Sequence, residues 1–172
     1  MTSDSAVPFD WLTPLGASVA LFVLFGVLNV VVGVLSPIFI GFRGPAEAPR
    51  GSLLFSERSD TVVFGTAPSQ LLREDRPLAM LRWLMLLWLA AMLLAFGILQ
   101  LALAWFGLRE RHVWALWALT IGDLATLPYW LAMIQAYVRH GAPLGAGDLP
   151  PLFRYLAAIP IAALLGWVGL RQ

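Results

Sequence analysis

Four long stretches of this 172-residue chain carry almost no charge, and that limits what it can fold into. Between Asp10 and Arg43 there are 32 uncharged residues, and between Arg82 and Arg109 there are 26. Between Arg111 and Arg139 there are 27, interrupted only by Asp123, and between Arg154 and Arg171 there are 16. An α-helix rises ~1.5 Å per residue, so a hydrocarbon core of ~30 Å is crossed by roughly 20 apolar residues. Buried core helices of a soluble protein would show the same runs. Four of them, however, would leave too little polar surface to cover them. Only 12% of the residues are charged and 60% are apolar, against about 25% charged in a soluble domain.

The runs predict an all-α membrane protein, a four-helix transmembrane bundle forming a single domain over residues 1–172. The spans fall at about 12–38, 78–108, 112–138 and 151–170. The fourth starts at Pro151, a good first-turn residue, and leaves Arg154 to snorkel toward the headgroups. A signal peptide is the alternative for the first span. Its flank carries Asp4 and Asp10 without Lys or Arg, and its apolar run far exceeds an h-region of roughly 7–15 residues. Ala46-Glu47-Ala48 resembles a cleavage box but is followed by Pro49. The span is therefore read as retained.

Charge and aromatic placement suggest an orientation. Four spans put both termini on one side, with Arg109, Arg111 and Arg171. The other side holds Arg43, Arg50, Arg58, Arg73, Arg76, Arg82, Arg139 and Arg154. Arginine bias marks the cytoplasmic face, so both termini are expected to be extracytoplasmic. Trp11, Trp105, Trp114 and Trp167 fall near the terminal side, and Trp83 and Trp88 near the other, as in an interfacial aromatic belt. The eleven basic residues are all Arg, which fits a GC-rich, prokaryotic source. There is no cysteine, and the net charge of +1 gives no electrostatic case for a nucleic-acid partner.

One long extramembrane loop, 41–77, joins the first two spans. Gly and Pro make its beginning irregular. Residues 60–65 read as a short strand or a lipid-facing segment. Residues 67–75 read as a short interfacial helix that Pro77 ends. In its plainest reading the loop is a tether without a site.

Small or polar residues recur at helical spacing in every span: Asn29 and Gly33, then Ala91 and Ala95, then Ala118, Gly122 and Thr126, then Ala158, Ala162 and Gly166. Such stripes let helices in lipid approach closely, so they are expected to face inward. A homodimer interface is the competing use of one of them.

Asp123 stands near the middle of the third span. A central Asp costs ~2.5–3.5 kcal/mol to insert, while each Leu or Ile returns only ~0.3–0.6 kcal/mol. The seven Leu and Ile of residues 116–134 roughly cancel it, so this span should need neighbours and turn Asp123 inward. Helical spacing places Leu116, Thr120, Asp123, Thr126, Leu127 and Trp130 on one face. Thr120 and Thr126 could bond the carboxyl. Counting back from the tight turn at 109–112, Gln100 lies about one turn from Asp123, and Pro160 lies near its depth. A proline inside a helix frees the carbonyl one turn back, at Leu156. A protonated Asp123 would donate to that carbonyl or to Gln100. Two roles stay open: a hydrogen-bonded strut, or a ligand site of Asp123, Gln100, Thr120, Thr126 and Trp130 for a lipid or quinone-like molecule. Proton or ion movement is weaker, because no second charge is central. His112 and His140 lie at opposite faces and cannot share a metal, and no phosphate-loop, dinucleotide or hydrolase motif is present.

The stretch Phe64-Gly-Thr-Ala-Pro-Ser-Gln-Leu-Leu-Arg-Glu-Asp-Arg-Pro77 leads into a span with Gly97 and Gln100. It is followed by Trp105-Phe-Gly-Leu-Arg-Glu-Arg111 and Trp114-Ala-Leu-Trp117. In this texture, residues 64–117 resemble small prokaryotic four-helix membrane proteins of uncharacterised function, broadly DoxX-like. The resemblance implies a four-helix membrane architecture. DoxX-type proteins are associated with quinone-linked membrane redox chemistry, but no residue here carries that role over. The reading leans away from an enzyme and toward an accessory or scaffold component of a membrane complex, with the bilayer and another membrane protein as its partners.

Overall fold

The computed structural model describes residues 9–41, 53–145 and 158–172, with side chains to Ile38 in the first segment. The chain is helical throughout its regular structure, with no strand among the described residues. The helices are α1 (Pro14–Gly41), α2 (Glu57–Phe64), α3 (Pro68–Glu74), α4 (Arg76–Ala102), α5 (Val113–Leu124), α6 (Leu127–Arg139) and α7 (Ile159–Arg171). A π-helical turn, Leu103–Leu108, prolongs α4.

Local chemistry sets the helix starts. Thr13 Oγ1 accepts from Gly16 N–H at 3.1 Å ahead of the apolar run of α1. Ser56 and Ser59 cap α2 reciprocally, and Gly65 ends it at φ 72°, a backbone angle that favours glycine. Asp75 closes α3 and caps α4, accepting from Leu78 N–H at 3.0 Å. The helix α2 corrects the expected strand at 60–65. The β-branched Thr61, Val62 and Val63 favour a strand only weakly, and the capping box overrides them. The short helix expected at 67–75 is present as α3.

Two helices are long and apolar enough to cross a membrane: Pro14–Ile38, 25 residues, and Arg76–Leu108, 33 residues. Only 33% of the apolar window of the first and 17% of that of the second is buried. A core helix of a soluble protein would be mostly covered. Here Leu24, Val31, Leu81, Met85, Trp88 and Leu99 are exposed.

Helices α1 and α4 pack at backbone distance. A Cβ added to Gly97 would lie 2.8 Å from both Gly26 O and Val30 N, and one added to Gly33 would lie 2.7 Å from Leu94 N. Helix α7 closes on α1 the same way. Ser18 Oγ donates to Ala162 O at 2.7 Å, and a Cβ on Gly169 would lie 2.7 Å from Leu15 Cα. The main core joins α1, the π-turn, α5 and α7 through Val19, Phe22, Leu108, Leu116, Leu119 and Ala162.

The small-residue stripes therefore face inward on α1 and α7 only. Ala91, Ala95 and Ala118 are exposed, as is Thr126, and Gly122 is half-buried against Phe96. The inward faces are Ala90, Gly97 and Gln100 on α4, and Ala115, Leu116, Leu119, Thr120 and Asp123 on α5. Small size permits close approach but does not choose which face makes it. The larger Leu116 and Leu119 decide α5.

The run read as one span at 112–138 is broken into α5 and α6 at Ala125 and Thr126. Both residues keep right-handed helical angles, so the break is one of hydrogen bonding. Pro128 is the cause: it has no N–H for Leu124 O and crowds that carbonyl. Pro160 stands in the first turn of α7 and not in a helix interior. Leu156 and the Pro151 start of the fourth span lie outside the described residues.

Candidate functional site

Two buried carboxyls organise the polar interior. The first is Asp123, 7% exposed on α5. Gln100 Nε2 donates to both of its oxygens, at 3.1 and 3.0 Å. Gln100 Oε1 in turn accepts from Asn29 Nδ2 at 3.1 Å. The chain Asn29–Gln100–Asp123 thus links α1, α4 and α5. Gln100 was expected to accept from a protonated Asp123, and here it donates. Its oxygen is engaged by Asn29, so its amide nitrogen is the end left to face the carboxyl.

The other predicted site residues separate. Thr120 is buried beside Asp123, yet its Oγ1 has no hydrogen-bond partner. Thr126 is exposed, and its hydroxyl donates to Asp123 O, a backbone atom, at 2.8 Å. Trp130 packs with Phe55 and Tyr137 in a second apolar cluster. The single face from Leu116 to Trp130 assumed an unbroken helix, and the break between α5 and α6 falls within it.

The second carboxyl, Asp60, is fully buried and was not singled out from the sequence. It accepts from Leu53 N–H, from Leu54 N–H at 3.2 Å and from Phe55 N–H at 3.4 Å. Tyr137 of α6 donates its hydroxyl to Asp60 at 2.7 Å. The Phe55 ring meets the Tyr137 ring edge-on with centroids 4.6 Å apart. Arg82 of α4 supplies the opposing charge. Asp60 therefore holds the segment before α2, α6 and α4 together. The overlooked signal was Ser56-Glu57-Arg58-Ser59, which starts a helix and places Asp60 one turn inside it.

At the turn between α4 and α5, Arg111 adopts φ 64° and donates to Gly169 O of α7 at 3.0 Å. The Arg109 guanidinium lies 4.5 Å from the Trp105 ring centroid and 5.6 Å from that of Phe9, and Arg171 lies 4.3 Å from Trp167. Trp11 reaches Trp105 at 6.2 Å, and His112 stacks on Trp114 at 6.1 Å. The aromatics assigned to the terminal side thus gather at one end with three arginines. No family model matches the chain, and neither a curated protein nor a solved structure does.

Proposed function

We propose that the chain is a multi-pass membrane protein, crossing the bilayer four times in a DoxX-like arrangement, that serves as a non-catalytic accessory or scaffold component of a membrane complex. One observation carries this reading: Asn29, Gln100 and Asp123 spend their polar groups on one another and so brace three helices. A side-chain bond between membrane helices contributes ~0.6 kcal/mol on average. Two in series make a strut that also shields a costly carboxyl. The apolar surfaces of α1 and α4 suit lipid or a neighbouring membrane protein. In this reading both termini are extracytoplasmic, and the 41–77 segment lies in the cytoplasm.

Native mass spectrometry of the gently extracted protein tests it. A partner chain retained at fixed stoichiometry is expected, and a clean monomer contradicts the scaffold role. A reporter fused at Gln172 tests orientation, and a cytoplasmic signal overturns it.

A second reading rests on Thr120 Oγ1, buried without a partner beside Asp123. A lipid or quinone-like molecule bonding both groups would make this a ligand site. Asp123→Asn separates the readings. Lost stability with unchanged lipid and quinone retention supports the strut, and lost retention at unchanged stability supports the site.

A further inference from the structure

The outer side of α4 changes character at the π-turn. A groove of about 380 Å³ opens there, lined by Val23 of α1 and by Ile98, Leu101, Ala102, Trp105 and Phe106. Every lining side chain is apolar or aromatic. The π-turn shapes this surface. Arg109 N–H reaches back five residues to Ala104 O at 3.0 Å, and His112 N–H reaches Gly107 O at 3.0 Å. The widened coil carries Trp105 and Phe106 outward, and Phe106 is 73% exposed. Such turns recur at functional positions.

One turn past Trp105 stands a cation. The Trp105 ring that lines the groove also carries the Arg109 guanidinium, 4.5 Å from its centroid. Among the described residues no carboxylate pairs with that guanidinium; its neighbours are the rings of Trp105 and Phe9. Arg111, two residues on, is turned to Gly169 O. An apolar trough, an amphipathic indole and a half-buried guanidinium follow one another along the helix. Their order matches acyl chain, interface and phosphate.

We propose that this groove binds a phospholipid with a negatively charged headgroup. One acyl chain lies along Val23, Ile98, Leu101 and Ala102, Trp105 marks the boundary, and Arg109 holds the phosphate. Arginine presents parallel donors to phosphate. The ammonium of a zwitterionic headgroup would offset that attraction. The inference rests on the chain lying in a bilayer and is independent of the scaffold role.

The test uses the full chain in nanodiscs of equimolar phosphatidylglycerol and phosphatidylcholine with matched acyl chains. Lipids retained after gentle release are counted by native mass spectrometry. The expected result is about a five-fold preference for phosphatidylglycerol, the equivalent of the ~1 kcal/mol that one basic side chain gives near an anionic surface. Arg109→Gln should bring the ratio to about one, and Arg109→Lys should keep part of it. Ala102 is exposed, so Ala102→Trp fills the groove from outside and should lower retention of both lipids. Equal retention by the unaltered chain would overturn the proposal. So would an unchanged preference in Arg109→Gln, or undiminished retention in Ala102→Trp. Failure of the chain to enter nanodiscs would overturn the membrane reading, and this inference with it.

Discussion

Asp123 and Asp60 are both buried carboxyls, and they are satisfied in opposite ways. Asp123 sits within a helix, where the backbone N–H groups around it serve the helix itself. Its partner is another side chain, Gln100. Asp60 sits one turn into a helix that follows an irregular segment, where backbone N–H groups have no helical partner. It gathers three of them and a phenol. A carboxyl near loose backbone is thus fixed by many donors from one neighbourhood. A carboxyl inside an apolar bundle depends on the few polar residues its neighbours present. The first arrangement closes a loop onto the bundle, and the second ties distant helices together.

Substitutions can break this contrast. The largest effect is expected at Asp60. Asp60→Ala would strand three backbone N–H donors and the Tyr137 hydroxyl together, and since each buried donor left unmet costs ~1–3 kcal/mol, the combined loss should reach at least ~3 kcal/mol. Unfolding in mixed detergent micelles should show a loss of that size, and a loss below ~1 kcal/mol would make Asp60 dispensable. Gln100→Leu comes next. It removes three hydrogen bonds, two to Asp123 and one from Asn29, and leaves Asp123 without its donor, for an expected loss of ~1–3 kcal/mol by the same assay. Tyr137→Phe deletes one hydroxyl while keeping the ring against Phe55, and should cost ~1 kcal/mol. Asn29→Leu is the mildest. It removes the outer link, worth ~0.6 kcal/mol, and should leave Gln100 and Asp123 bonded. If Asn29→Leu proved as costly as Asp60→Ala, the contrast between the two carboxyls would fail.

The same contrast explains what could be read from residues alone. Asp123 stood out because a charge inside an apolar run is expensive, and its depth nearly matched that of Gln100 by counting rises along two helices. Asp60 stood among other charged residues in a loop, where an acid is ordinary. Its burial depends on Tyr137, 77 positions away, which no local pattern announces. The break before α6 was legible in Pro128, yet the length of the uncharged run argued for a single span. The face drawn through Thr126 and Trp130 therefore runs across the break. The inward stripe of α7 was legible in Ala162 and Gly166. On α4 and α5, alanine appeared on more than one face, and spacing could not select between Ala90 and Ala91.

Gln100 and Asp123 act as a coupled strut between helices. A double-mutant cycle tests it most directly, with Gln100→Leu, Asp123→Leu and the pair compared by unfolding free energy in bilayer-like micelles. The expected coupling is ~0.6–1.7 kcal/mol, within the range of side-chain bonds between membrane helices. Strict additivity of the two single losses would contradict it.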